Sequence, residues 1–93
     1  MATDTVILRN ESWNSITVEA LMGNKGVVEE NAPVDGSPRL LYLNEDWVIE
    51  SNGEDVYYRR DADPDNPDGI MTNWSVRPCY GNGETYVEDL GLM

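Results

Sequence analysis

The chain has 93 residues, and its 18 acidic and 6 basic side chains give a formal net charge of −12. This length suits one domain with a modest core, and the charge argues against direct binding to nucleic acid or to an anionic membrane, since both require cationic surfaces. With no histidine and a single cysteine, Cys79, the chain cannot form an intrachain disulfide, the common zinc sites or a nucleophile–base pair.

The first two predicted elements are strands. Residues 3–9 are β-branched and aliphatic, and residues 15–21 alternate between apolar and polar side chains. Such alternation is typical of a half-buried antiparallel strand. The two strands are expected to form a hairpin across the turn at residues 10–15.

The next segments combine weak strand signals with a clear loop. A short strand is predicted at residues 27–30. Residues 31–38 contain two prolines and a glycine and are expected to form a loop. The aliphatic run at residues 39–43 predicts a strand that could be buried on both of its faces.

Two Asn-Gly dipeptides, at residues 52–53 and 82–83, are strong local signals for β-hairpins. Strands at residues 47–50 and 55–60 are expected to pair through the first. The strands before and after the second Asn-Gly dipeptide are likewise expected to pair as a hairpin.

A third connection, the acidic loop at residues 61–69, links the strand at 55–60 to one at 70–77, and a last strand follows at 85–90. No segment shows a sustained helical period, and turn signals recur about every ten residues. The sequence therefore predicts one all-β domain over residues 1–93, a small antiparallel β-sandwich or barrel of seven to eight short strands.

The acidic loop reads Asp-Ala-Asp-Pro-Asp-Asn-Pro-Asp-Gly. Alternating carboxylates suit a hard cation such as calcium, and the candidate ligands are Asp61, Asp63, Asp65 and Asp68. The first three positions match an EF-hand loop, but Asn66 replaces its turning glycine and Thr72 replaces its bidentate glutamate, so the segment is not an EF-hand. A different calcium site and a solvated, proline-stiffened hairpin connection between the two flanking strands are the two alternatives.

Successive connections in an antiparallel fold alternate between two ends of the domain. The turn at Glu45 and Asp46 and the acidic loop are therefore expected to share an end, joined by the turn at residues 23–26 if 27–30 is a strand. That acidic end would carry Glu45, Asp46, Asp61, Asp63, Asp65 and Asp68. The opposite end would carry Glu11, Asp35, Glu54 and Glu84. Trp13 lies in a turn and is the candidate apolar anchor for a partner.

Two resemblances bear on function. In size, charge and lack of catalytic residues the chain is similar to phage-encoded inhibitors that mimic nucleic acid, anti-CRISPR proteins among them. Its opening alternation, with Asn10 and Ser12 before a short β-run, resembles small membrane- or sugar-binding β-sandwiches such as aegerolysins, and no site residue follows from that likeness.

The leading hypothesis is a non-enzymatic inhibitor or adaptor whose acidic end docks on a basic surface of a partner protein, such as one that binds nucleic acid. The alternative is a calcium-stabilised β-sandwich module that binds sugar, lipid or protein. The start of the chain lacks a basic or long apolar segment, so we expect a cytoplasmic protein without a membrane span. An exposed edge strand leaves a homodimer open.

Overall fold

Two β-sheets make up the fold in the computed structural model, which describes residues 2–23, 31–63, 65 and 69–91. The strands are β1 (Asp4–Arg9), β2 (Ile16–Gly23), β3 (Ala32–Pro33), β4 (Arg39–Leu41), β5 (Asp46–Ser51), β6 (Asp55–Arg60), β7 (Ser75–Arg77) and β8 (Thr85–Asp89). One sheet has the order β5-β1-β8, and the other has the order β3-β2-β6-β7 with β4 also paired to β2. The predicted all-β class of short strands is confirmed. Within the described residues, no helix is long and apolar enough to cross a membrane.

The core lies between the two sheets because alternation along the longer strands points apolar side chains inward. Strands β1 and β5 bury every second residue, and β2 does so over its first half. Full burial of one aliphatic side chain contributes about 1.5–3 kcal/mol. The buried cluster comprises Val6, Leu8, Ile16, Val18, Ala20, Leu41, Trp47, Ile49, Val56, Cys79 and Leu90.

Several predicted pairings between consecutive strands are wrong. Strand β1 does not form a hairpin with β2: it pairs antiparallel with β5 and parallel with β8. A strand has only two hydrogen-bonding edges, so β1 has none left for β2, which lies in the other sheet. Both Asn-Gly turns also carry the chain from one sheet to the other, between β5 and β6 and between β7 and β8. The hairpin expected across the acidic loop does form, with Tyr57 of β6 opposite Val76 of β7.

Two predicted strands are shorter in the structure. The run at 39–43 is a strand only to Leu41, and the side chains of Leu40, Tyr42 and Leu43 are exposed, so this segment is not covered on both faces. The strand predicted over 70–77 is reduced to Ser75–Arg77. The strand predicted at 27–30 lies outside the described residues.

The parallel pair of β1 and β8 is anchored by the fully buried carboxylate of Asp4. Its two oxygens accept four backbone N–H hydrogen bonds, from Tyr80 (2.9 Å), Gly81 (2.7 Å), Asn82 (3.1 Å) and Glu84 (3.0 Å). Gly81 and Gly83 adopt φ angles of 68° and 79°, which glycine adopts without strain and which let the loop curl its amides around the anion. The loop before β8 is thus folded around a side chain of β1.

These donors also decide the protonation state of Asp4. Burial alone would raise its pKa, because it disfavours the charged form. The backbone N–H groups outweigh that effect and lower the pKa below its ordinary value of 3.8. Asp4 is therefore a carboxylate at neutral pH.

A second set of polar contacts joins the sheets between β6, β7 and β8. The Tyr58 hydroxyl donates to Glu88 Oε1 at 3.3 Å, and the Arg77 guanidinium lies 4.4 Å from the ring centre of Tyr86. Burial, followed by the negative charge of Glu88, raises the pKa of Tyr58 to about 12. The hydroxyl therefore remains a hydrogen-bond donor to strongly alkaline pH.

We predict that Asp4→Asn lowers the melting temperature much more than Glu54→Gln, which removes an exposed carboxylate, because an amide cannot offer two anionic oxygens to the four donors. Since the folded pKa is lowered, the stabilisation by Asp4 is fully present above pH 3.8 and is lost as pH falls through the folded value. The difference between the melting temperatures of the two variants should therefore shrink as the pH is lowered from about 7 to about 2. A gap that does not change with pH would contradict this role.

Candidate interaction surface

Three connections meet at one end of the sandwich, which we call the Trp13 end and define as residues 10–15, 42–45 and 61–63. Arg9, at the end of β1, lies opposite Asp46 of β5 in the strand register. At the same end, the backbone N–H of Asp61 donates to the carbonyl of Thr17, near the start of β2. The Glu45–Asp46 turn and the start of the acidic loop therefore share an end, as the alternation of connections predicts.

Two other placements differ from expectation. Glu11 follows β1 directly and so lies at the Trp13 end instead of the opposite one. Gly23, where the turn at 23–26 begins, pairs with Asp55 at the other end. The cause is that β3 and β4 both run antiparallel to β2 along one of its edges, so together they cross the domain once.

The buried side chain of Asn10 holds two turns of the Trp13 end together. Its Nδ2 donates to the carbonyl oxygens of Asn14 (2.8 Å), Leu41 (3.1 Å) and Tyr42 (3.2 Å). Its Oδ1 accepts hydrogen bonds from the backbone N–H (2.9 Å) and the hydroxyl (2.6 Å) of Ser12. Sequence reasoning missed this role, although Asn with Ser two residues later is typical of a turn closed by the asparagine side chain.

Trp13 projects from the turn that Asn10 holds, and 74% of it is exposed. Tyr42 and Leu43 are exposed in the neighbouring turn. The other tryptophans are covered: Trp47 is buried in the core, and Trp74 is half-buried with the Arg59 guanidinium 4.4 Å from its ring centre. The structure thus places the predicted apolar anchor in solvent.

Glu45 and Asp46, two of the predicted partner-binding residues, are engaged within the fold. Glu45 accepts a hydrogen bond from the Tyr42 backbone N–H (2.8 Å) and one from Arg39 (3.2 Å). Asp46 accepts two hydrogen bonds from Arg9, at 2.8 and 3.1 Å. The backbone donor and Arg39 lower the pKa of Glu45, and Arg9 lowers that of Asp46. Both carboxylates therefore brace their turn.

The acidic loop divides its carboxylates between the interior and the surface. Asp61 is buried, and its Oδ1 accepts a hydrogen bond from the Thr17 backbone N–H at 3.1 Å. Asp63 and Asp65 are exposed, and Asp63 Oδ1 accepts a hydrogen bond from the Asp65 N–H at 3.0 Å. Asp68 lies outside the described residues. Among the residues that are described, no three acidic, histidine or cysteine side chains are grouped to hold a metal ion.

Arginine side chains are occupied throughout the described chain. Besides the pairs of Arg9 and Arg39, Arg59 contacts Glu19 at 3.1 Å, Arg77 lies 4.0 Å from Glu88, and Arg60 donates to the Leu90 carbonyl at 2.7 Å. No described cation lies within ion-pair distance of the exposed carboxylates Asp63, Asp65, Glu50, Glu54 and Glu84. The free charge on the described surface is therefore negative.

Comparison with known proteins adds no relative: no protein-family model, curated protein or solved structure matches this chain.

We predict that Asn10→Ala destabilises the protein by about 3 kcal/mol, because it leaves buried carbonyl and N–H groups of both turns without partners. Trp13→Ala should change stability by less than about 0.5 kcal/mol, since that side chain is solvated. Urea denaturation of both variants measures the difference. Equal losses would mean that Trp13 packs on the fold.

We also expect the melting temperature to be the same in millimolar calcium as in chelator, because the Asp61 carboxylate points inward and accepts a hydrogen bond from Thr17. A cation bound only by the native state would raise stability by RT ln(1 + [L]/Kd). A calcium-dependent rise that Asp63→Asn abolishes would contradict this expectation and support the calcium-stabilised module.

Proposed function

We propose that this protein is a non-enzymatic inhibitor or adaptor that docks its acidic surface on a basic surface of a partner protein. The observation that carries the proposal is the division of charge within the described chain. The arginines are half-buried and each contacts a carboxylate or a backbone carbonyl, whereas carboxylates such as Asp63 and Glu84 stand in solvent without a described cation. The unpaired charge on the described surface is thus negative, in keeping with the net charge of −12 of the whole chain.

A surface whose unpaired charges are mostly of one sign suits a partner of the opposite sign. It accelerates encounter, makes binding sensitive to salt and rejects partners of like charge. Duplex DNA carries one charge per about 1.7 Å of axis, and the proteins that bind it present cationic grooves of matching density. We therefore favour a nucleic-acid-binding surface as the target, with this protein as a mimic of the polyanion.

The polar groups in the interior favour a binding role over catalysis. Asp4, Asp55 and Asp61 are buried, and each accepts backbone N–H hydrogen bonds, which is how a structural carboxylate is satisfied. Burial also raises the pKa of the Cys79 thiol, which keeps it in its unreactive protonated form.

The proposal is tested by capture of proteins from a host lysate on the immobilised protein at low salt. Basic proteins should bind and should be released by high salt or by excess duplex DNA, which competes for the same cationic groove. Failure to capture any basic protein at low salt would overturn the proposal. Capture that DNA does not reverse would place the partner outside the nucleic-acid-binding class.

Paired variants then locate the docking surface. Asp63→Asn/Asp65→Asn removes two charges at or beside the Trp13 end, and Glu54→Gln/Glu84→Gln removes two at the opposite end. Two exposed charge contacts of about 0.5 kcal/mol each correspond to about a fivefold loss of affinity. We expect that loss from the first variant alone, measured against a captured partner. Equal losses would show that net charge, without a docking end, attracts the partner.

A further inference from the structure

A row of aliphatic side chains crosses the outer face of the β5-β1-β8 sheet. The strand register places Val48 of β5 and Val87 of β8 on either side of Ile7 of β1. Val48 is 57% exposed and Val87 is 43% exposed, and Ile7 is half-buried between them. Their neighbours Val6 and Leu8 point inward and are fully buried, so the row lies outside the core.

Polar rows lie on both sides of this aliphatic row. One consists of Glu50, Thr5 and Thr85, and the other of Asp46, Arg9 and Asp89. Arg9 is the cation of these rows, and its charge is offset by its paired hydrogen bonds to Asp46. Glu50 and Asp89, both exposed, therefore give diagonal corners of the face a negative charge. We call this surface, formed by the three rows, the Ile7 face.

We propose that the Ile7 face extends the docking surface beyond the Trp13 end and supplies its apolar contact with the basic partner, an assignment that rests on the function proposed above and narrows it. The partner's matching surface carries an apolar strip with lysine or arginine on both sides. Charge complementarity selects this occupant: a second copy of the chain would also carry a charge of −12 and would bring acidic rims together.

The position of the face supports this assignment. Its row at Arg9 is followed in the chain by Asn10, so the Ile7 face borders the Trp13 end. Side chains on paired strands are also held in place before binding, so less conformational entropy is lost there than when a mobile loop is ordered. The valines of the central row supply the apolar contact, and the surrounding carboxylates supply the attraction.

Two synthetic peptides of equal length and charge test the proposal, one alternating lysine with valine and the other alternating lysine with serine. The lysine–serine peptide reports charge attraction alone. At low salt we expect the wild-type protein to bind the lysine–valine peptide about tenfold more tightly, because only that peptide can bury the apolar row.

Matched variants locate this preference. Val48→Thr/Val87→Thr retains β-branched side chains that favour strands but makes the row polar. It should remove the preference for the lysine–valine peptide and leave affinity for the lysine–serine peptide unchanged. Val76→Thr changes an exposed valine on the other sheet and should retain the preference. Circular dichroism melts confirm that each variant is folded.

A second measurement needs no variant. Peptide-induced amide shifts in the NMR spectrum of the wild-type protein should concentrate on β5, β1 and β8. Equal affinity for both peptides, a preference that survives the double substitution, or shifts confined to Trp13 and Tyr42 would overturn the Ile7 face while leaving the acidic docking function intact. Failure of both peptides to bind at low salt would overturn that function and this face together.

Discussion

The buried carboxylate of Asp4 is the interaction on which the fold depends. Parallel neighbours cannot be joined by a tight turn, and β1 and β8 stand at opposite ends of the chain. The four N–H donors of the loop before β8 bring that strand to β1 by folding around a single anion. The placement of Glu88 against Tyr58 and of Val87 beside Ile7 follows from this attachment.

The carboxylates of this chain have two distinct physical roles. Those turned inward, such as Asp4 and Asp61, satisfy backbone donors that would otherwise be buried without partners. Those at strand ends, such as Asp46, neutralise an arginine and fix a turn. Four of the described arginines are paired with carboxylates and Arg60 donates to a backbone carbonyl, so the remaining carboxylates dominate the charge of the described surface. A high net charge is thus compatible with a stable fold and also available to a partner.

The Arg9–Asp46 pair lies where the Ile7 face meets the Trp13 end. Its two hydrogen bonds hold the end of β1 against the start of β5, and Asn10 then clamps the turns that follow. An apolar row, exposed aromatic side chains and free carboxylates therefore lie on adjoining parts of the molecule. Pre-ordered surfaces of this kind bind with a smaller entropy loss.

Local pattern was sufficient to predict the all-β class, the approximate strands, the hairpin across the acidic loop and the exposure of Trp13, because alternation and turn chemistry act over a few neighbouring residues. It could not predict which strands pair. Alternation indicates which face of a strand is buried but not which strands lie at its two edges. Both Asn-Gly dipeptides predicted hairpins, whereas at both the chain passes from one sheet to the other. Only the pairing register of β5, β1 and β8 brings Val48, Ile7 and Val87 into one row. Likewise, Asp61 and Asp63 are alike in sequence, and only the approach of Thr17 turns the first inward and leaves the second in solvent.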